Sequence, residues 1–363
     1  MHCEPLESRC LLNAADALFR RDVVKLKPGQ EYQLTKPVHV RSNQRIVGLS
    51  SSNLPLVKLA KGSASVFVIS PGVHDVTIRN VRFASNGKMP AIRVGGENTY
   101  IGNVSVTKKS GSAVIVDGAT DTLIENCNQS NITQRGFVYG ANFNNLTIRN
   151  VSTSGNYYEN EMRFHGFDGL WMKNVKIDGA NPAADESDVM GLKDNALRIH
   201  DGSNAFVSGL TATGNVTFGV MDGDNGGYSD LRSGKKQEYK RKMRLTSNVT
   251  ADHLKIFGNL VLSSGLKFKI SHLDITSWKR GSCLSVNGVY GPFNKGGELF
   301  RGKARGTLRH VTAHYVASPP ARNIDSLNKI FSKAKVIGNG EFMSGKSRKI
   351  VLMDVDFENA KKK

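Results

Sequence analysis

The sequence has little of what usually assigns a class at sight. Its 363 residues contain four cysteines, Cys3, Cys10, Cys127 and Cys283, in no spacing that makes a disulfide framework or a zinc site. No apolar run approaches the ~18 residues of a membrane span, so no spanning segment is expected. No uninterrupted apolar stretch follows a basic start, so a standard signal peptide is not visible. Aromatic residues make up 7% of the chain, with two tryptophans, and they do not interleave with basic residues as a nucleic-acid stacking platform requires. Acidic residues are outnumbered 31 to 50 by basic ones, leaving a net charge of +19. Helical patterns are few.

What the chain does have is a recurring asparagine. It stands at Asn80, Asn103, Asn126, Asn150 and Asn174, at intervals of 23, 23, 24 and 24 residues, and a fixed period of that size marks a repeat architecture. Two positions before it are Ile78, Ile101, Ile124, Ile148 and Met172; one position after it are Val81, Val104, Cys127, Val151 and Val175. The apolar parity flips at the asparagine, so a strand bends there. Cys127, in a valine column, reads as a small core residue.

A second strand precedes each bend, with expected inward pairs Ile92/Val94, Val114/Val116, Phe137/Tyr139, Met162/Phe164, Leu197/Ile199 and Phe218/Val220. Period-two strands in 22- to 25-residue repeats, with 37 glycines available for corners, fit coils that stack as a parallel β-helix. The expected organisation is all-β: residues 1–24 as an N-terminal motif and capping segment, 25–357 as the β-helix, and 358–363 as a basic tail. The asparagine amides are expected inside, hydrogen-bonded along the axis. After Asn174 the same corner falls to Gly209, His253, His272, His310 and Asp354, at irregular spacing. Three histidines in one column raise a metal, but separate coils hold them ångströms apart, and corner histidines bonded to backbone are the expectation.

These columns resemble the asparagine ladder of the right-handed, pectate-lyase-like β-helix superfamily. So does the opening run of PGQEYQL (28–34), PVHV (37–40) and NQRIVG (43–48). The resemblance covers roughly residues 25–357 and implies fold, not chemistry. EPLESRCLLNAA (4–15) is similar to the LEPR-XLL motif of exported or surface-associated bacterial proteins. It matches at Leu6, Glu7, Arg9, Leu11 and Leu12 and departs at Ser8; the implied location is secreted or cell surface. Residues 13–21 also fit an amphipathic helix capping the first coil.

The positive charge gathers at Lys235, Lys236, Lys240, Arg241 and Lys242, and again at Lys295, Arg301, Lys303, Arg305 and Arg309. Both groups are expected in loops between later coils, where a basic field recruits polyanions. An anionic polysaccharide is the expected partner, and nothing in the sequence sets an oligomeric state.

Chemistry on a β-helix belongs on outward positions where coils stack. Aligning NEMRFHGFDGLWMKNV (160–175) with NALRIHDGSNAFVSGL (195–210) sets Arg163 beside Arg198 and His165 beside His200, with Glu161 on the same face and Arg93 in the arginine column of an earlier coil. Two arginines one coil apart, ~4.8 Å, clamp a carboxylate or sulfate. A histidine beside them can take the C5 proton of a uronate once its carboxylate is neutralised. That is the chemistry of a polysaccharide lyase or epimerase. The same residues fit a non-catalytic glycan clamp or adhesin, or a plain ladder with Glu161. The excursion 179–195, with Asp185, Glu186 and Asp188, stands as either a substrate wall or a solvated loop.

Two other chemistries are disfavoured. KDNALRIHDGS (193–203) is similar in layout to the polygalacturonase coil with paired aspartates, but Asn195 replaces the second, and Asp194 alone does not supply the two carboxyl groups inversion needs. In TFGVMDGDNGG (217–227), Asp222, Asp224 and Asn225 resemble part of an oxygen-ligand loop without the EF-hand spacing or its distant glutamate. No cofactor is therefore assigned, and calcium at Asp222 and Asp224 is the one metal alternative.

Overall fold

The computed structural model describes residues 15–59, 65–84, 89–109, 112–132, 136–157, 162–180, 195–219, 248–262, 266–278, 284–286, 305–316, 343–344 and 350–357. The chain divides into two compact units, Met1–Tyr157 and Tyr158–Lys363. Each is all-β, built of parallel strands that pair with strands one coil away, as a parallel β-helix requires.

In the first unit the strands are β1 (Val23–Leu26), β2 (Glu31–Leu34), β3 (Val38–His39), β4 (Arg45–Gly48), β5 (Leu56–Leu59), β6 (Phe67–Ile69), β7 (His74–Ala84), β8 (Ile92–Val94), β9 (Glu97–Lys109), β10 (Val114–Asp117), β11 (Thr120–Glu125), β12 (Asn128–Ile132), β13 (Val138–Ala141) and β14 (Asn144–Tyr157). The pairing β4–β7–β9–β11–β14 stacks Ile46, Ile78, Ile101, Ile124 and Ile148 in one column, and all five are fully buried. Burying each such side chain contributes about 1.5–3 kcal/mol. None of it is available to a single coil, because the column exists only between coils.

The asparagine corners are left-handed. Asn80, Asn103, Asn126 and Asn150 have φ of 56, 49, 54 and 53°, a conformation that asparagine tolerates and β-branched residues do not. Their amides run up the stack: Asn103 Nδ2 donates to Asn80 Oδ1 at 2.9 Å and Asn150 Nδ2 to Asn126 Oδ1 at 3.0 Å, while Asn80 Nδ2 donates to the Gly48 carbonyl at 3.0 Å. The ladder is not interior as the sequence suggested. Asn80 and Asn103 are half-buried and Asn126 and Asn150 exposed, because the left-handed bend turns the side chain out of the coil while the flanking apolar residues turn in.

A second left-handed column was not anticipated. Asn43, Asp75, Asn98, Asp121 and Asn145 have φ between 48 and 63°. Here too the side chains bond between coils, Asn98 to Asp75 and Asn145 Nδ2 to Asp121 Oδ1 at 3.0 Å. Beside the first ladder, Tyr100 folds across Gly102, where an added Cβ would lie 2.3 Å from its hydroxyl. That hydroxyl donates to Glu125 Oε1 at 2.7 Å, and Arg149 bonds the other carboxylate oxygen. Partial burial, then the bond to Glu125, pushes the Tyr100 phenol up to about 12.

The helix expected at 13–21 is seen at 15–18 and ends short of 21, residues 13 and 14 being outside the described residues. Phe19 follows it and packs on Tyr32 and Phe67, with ring centroids 6.3 and 5.6 Å apart. Buried Gln44 donates to the carbonyls of Phe19 and Arg21 at 2.9 and 2.7 Å and accepts from the Arg41 amide at 3.0 Å. Residues 4–12, with the export-like motif, lie outside the described residues. Cys127 is buried as expected, and burial pushes its thiol up to about 12.

The second unit contains β15 (Met162–Ala180), β16 (Asn195–Thr213), β17 (Asn215–Phe218), β18 (Asn248–Phe257), β19 (Leu260–Leu262), β20 (Lys267–Trp278), β21 (Leu284–Val286), β22 (Arg305–Val316), β23 (Met343–Ser344) and β24 (Ile350–Phe357). Its corners are Asn174, Gly209, His253, His272 and His310, with φ of 53, 66, 54, 50 and 51°. At Gly209 a Cβ would meet Asn174 Oδ1 at 2.8 Å, so a larger residue there would have to displace that amide. The expected pairs Leu254/Ile256, Leu273/Ile275 and Val311/Ala313 are buried and stack in register through β18, β20 and β22; the side chains of Asp354, Val355 and Phe357 are outside the described residues.

One inward pair differs from the expectation. Val114 pairs with Val138 and Val116 with Gly140, so Tyr139 faces out, one residue from the expected register. Leu197 pairs with Val216 and Ile199 with Phe218, so Phe218 faces inward as expected, and Val220 lies outside the described residues. Phe137, Val138 and Tyr139 are all apolar, and there alternation alone does not choose the face.

Asn126→Ala removes both a left-handed corner residue and a ladder acceptor, and is expected to destabilise the protein by about 2–3 kcal/mol, from backbone strain and one lost hydrogen bond. Asn126→Gly keeps the corner and should cost about half as much. Equal losses in urea denaturation would show that the corner conformation is not what the asparagine supplies.

Candidate functional site

The best constellation lies on β15 and β16. Met162, Phe164, Leu197 and Ile199 are fully buried in the core, so alternation sends Arg163, His165, Arg198 and His200 to the other side of the same strands. The register pairs Arg163 with Arg198 and His165 with His200, the juxtaposition the sequence alignment gives.

The two coils differ in exposure. Arg163 and His165 are half-buried. Arg198 and His200 are not open to solvent, at 4% and 3% exposure, against the expectation that both pairs stand on a free outer face. The next residues of the arginine column, Thr217 on β17 and Val261 on β19, are buried at 0% and 1%. On β16, β17 and β19 these outward positions are therefore covered, and among the described residues of the cluster Arg163 and His165 are the ones that reach solvent.

The imidazoles of His165 and His200 stack with centroids 5.3 Å apart and planes 12° from parallel. Arg163 Nε donates to His200 Nε2 at 3.2 Å, so His200 accepts there and carries its proton on Nδ1. Burial, reinforced by the charges of Arg163, Arg198 and His165, holds the His200 pKa well below 6.5. His200 is neutral at pH 7.

Of the other charged residues singled out for the site and the basic groups, three are described. Arg93 lies on β8 in the first unit, exposed and 3.6 Å from Asp117. Arg305 and Arg309 are exposed strand residues of β22, not loop residues. Glu161, Asp185, Glu186, Asp188, Asp194, Asp222, Asp224, Lys235, Lys236, Lys240, Arg241, Lys242, Lys295, Arg301 and Lys303 lie outside the described residues.

The sequence reading passed over two groups. Trp171 is 53% exposed and packs against Phe206 of the next coil at 5.4 Å. Its signal was present, since buried Leu170 and Met172 on either side force Trp171 outward. The second group is the histidine corner, where Asp252 bonds His253 and His272. Periodicity marked those histidines, but their aspartate partner is visible only with the coils stacked.

No family model matches the chain, and no curated protein matches it in sequence. Solved structures are similar in fold. A Geobacillus virus E2 protein, ORF18, aligns with TM-score 0.50 and 13% identity over 92% of this chain and 54% of its own, so this chain spans about half its length. The A-module of the Azotobacter vinelandii mannuronan C-5 epimerase AlgE4 aligns with TM-score 0.46 and 11% identity over 96% and 90% of the two chains. PfbA, a surface adhesin of Streptococcus pneumoniae, gives 0.42 and 10% over 97% and 89%. At such identities no chemistry is carried across.

His200 also sets a pH dependence. Unfolded it titrates near 6.5, and folded at a lower value, so between those values the unfolded chain binds the proton and the folded chain does not. Its contribution to stability is complete above about pH 6.5 and declines as pH falls towards the folded pKa. Thermal midpoints of wild type should drop over that interval, and His200→Gln should flatten the drop. An identical slope in the variant would mean that His200 protonates as easily folded as unfolded.

Proposed function

We propose that the protein acts at the cell surface or outside the cell on an anionic polysaccharide, through Arg163 and His165. The observation that carries this reading is the register of β15 on β16, which sets two guanidinium groups and two stacked imidazoles on one side of the strands. The net charge of +19 attracts polyanions from a distance. The export-like motif at 4–15 supports the location. Exposed Trp171 adds a flat apolar surface of the kind on which the C–H face of a sugar ring can lie.

In the catalytic form of this reading the substrate is a uronate. Its carboxylate is held by the charge of Arg163, which stabilises the electron density that develops when C5 loses its proton. His165, the accessible imidazole, takes that proton. In elimination the C5–H electrons then form the C4=C5 double bond, the C4–O bond breaks, and the leaving oxygen acquires a proton. In epimerisation a proton returns to C5 from the opposite face. Both begin with the same abstraction. Arg198 and His200 stand behind: buried neutral His200 accepts from Arg163 Nε and so orients the clamp.

A second reading is a non-catalytic glycan clamp. It is favoured by the burial of Arg198 and His200, which leaves a single accessible arginine and a single accessible histidine. Both readings share the ligand and differ only in whether product forms.

Incubation with a panel of polyuronates and sulfated glycans, followed by ultraviolet absorbance of unsaturated ends and by NMR of C5 configuration, decides between them. For an enzyme, His165→Ala should lower turnover by about 10²–10⁴-fold while glycan binding persists, and Arg163→Ala should weaken both. For a clamp, binding should fall steeply with salt and no product should appear. Turnover unchanged in His165→Ala and Arg163→Ala, or no retention of any polyanion, would overturn the assignment.

A further inference from the structure

The histidine corner of the second unit has no role in the reading above. In β18 and β20 the corner residues are His253 and His272, and both turn Nδ1 towards one carboxylate: His253 Nδ1 lies 2.7 Å from Asp252 Oδ2, and His272 Nδ1 lies 2.8 Å from Asp252 Oδ1. The two rings stack at 4.5 Å, 19° from parallel, and His310 of β22 continues the stack at 4.8 Å. The expectation that separate coils keep the column apart, with each histidine bonded to backbone, does not hold for His253 and His272. One coil spacing is short enough for two imidazoles to share a carboxylate.

Backbone geometry does not explain why histidine is used. The left-handed corner is filled by asparagine at 80, 103, 126, 150 and 174 and by Gly209, which suffice wherever φ alone is the demand. Three consecutive corners use histidine instead, and the first of them follows an aspartate that reaches two rings. Asp252 is fixed in turn by Ser271 Oγ, which donates to Oδ1 at 2.7 Å. Partial burial pulls its pKa upward, but the bonds from His272, Ser271 and His253 outweigh it and hold the carboxyl well below the usual range.

We propose that Asp252, His253 and His272 form a binding site for a borderline divalent cation of the zinc, cobalt, nickel or copper class. One ligand atom from each of the three residues lies within 4.8 Å of the others. Around a tetrahedral ion with ~2.1 Å bonds, neighbouring ligand atoms stand about 3.4 Å apart, so the carboxylate and each ring, now 2.7 and 2.8 Å apart, part slightly, while a pair near the 4.8 Å limit closes by up to about 1.4 Å. Both imidazoles are at least half exposed and can tilt. Each must hold its proton on Nε2 for Nδ1 to coordinate. Two nitrogens and one carboxylate suit these cations rather than calcium or magnesium, which take all-oxygen sets. Three protein ligands leave a position for water or a ligand group.

The test uses the full-length untagged chain, stripped with chelator and titrated with Co²⁺ followed by visible absorption and with Zn²⁺ followed by calorimetry. Saturable binding of one ion with nitrogen- and oxygen-ligated Co²⁺ bands is expected. His253→Asn and His272→Asn keep a residue that the same corner uses elsewhere, so they should fold, as circular dichroism will show; each should weaken binding by roughly tenfold or more. Asp252→Asn should do the same. Wild-type protein that gives neither bands nor heat, or a His253→Asn/His272→Asn double variant that binds with wild-type affinity, overturns the site.

Discussion

The structure depends on a residue at positive φ at each corner of the asparagine column. A coil in this chain is a string of short strands, and what closes it is a bend sharp enough to turn the next strand onto the coil below. The left-handed conformation makes that bend in one residue, and asparagine, glycine and histidine are the side chains this protein uses for it in that column. Once the corners align, the amides bond from coil to coil and the flanking Ile and Val columns come into register. Corner and core therefore stabilise each other: the ladder has no partners without the stack, and the stack has no fixed register without the ladder.

That register creates the chemistry. Arg163 and Arg198 are separated by more than thirty residues of sequence, yet parallel pairing places them side by side, and the same pairing lays His165 on His200. Stacked like residues are costly when charged, and the protein resolves this differently in the two histidine groups. At His200 burial and neighbouring cations keep the ring neutral. At His253 and His272 an anionic aspartate sits between the rings' Nδ1 atoms. A β-helix thus converts a repeated residue into a paired site without disturbing the core columns, which occupy the alternate positions of the same strands.

Much of this was legible in advance, and the failures have physical causes. The asparagine period and its apolar columns are strong because each position recurs, so one exception, such as Cys127, does not hide the pattern. The second corner column was missed because it mixes aspartate with asparagine, although its constant offset of five residues from the first, as in Asp75 to Asn80 and Asn98 to Asn103, was there to be found. The pair Phe137/Tyr139 was set one residue out because Phe137, Val138 and Tyr139 are all apolar. The burial of Arg198 and His200 had no signal at all: their own strand alternates perfectly, and the covering of its outer face is a property of the surrounding structure.

The sequence by itself determined the repeat, the parallel β-helix, the core columns and the pairing of arginine with arginine and histidine with histidine. These follow from local rules, a period and an alternation, which each coil obeys separately. Only the tertiary structure decided which of the paired side chains meet water, which nitrogen of His200 accepts, and that Asp252 lies between two histidines. Exposure and hydrogen bonding depend on groups from different coils arriving at one place, and distances of 2.7 to 3.2 Å are fixed by packing in three dimensions, which no spacing along the chain encodes.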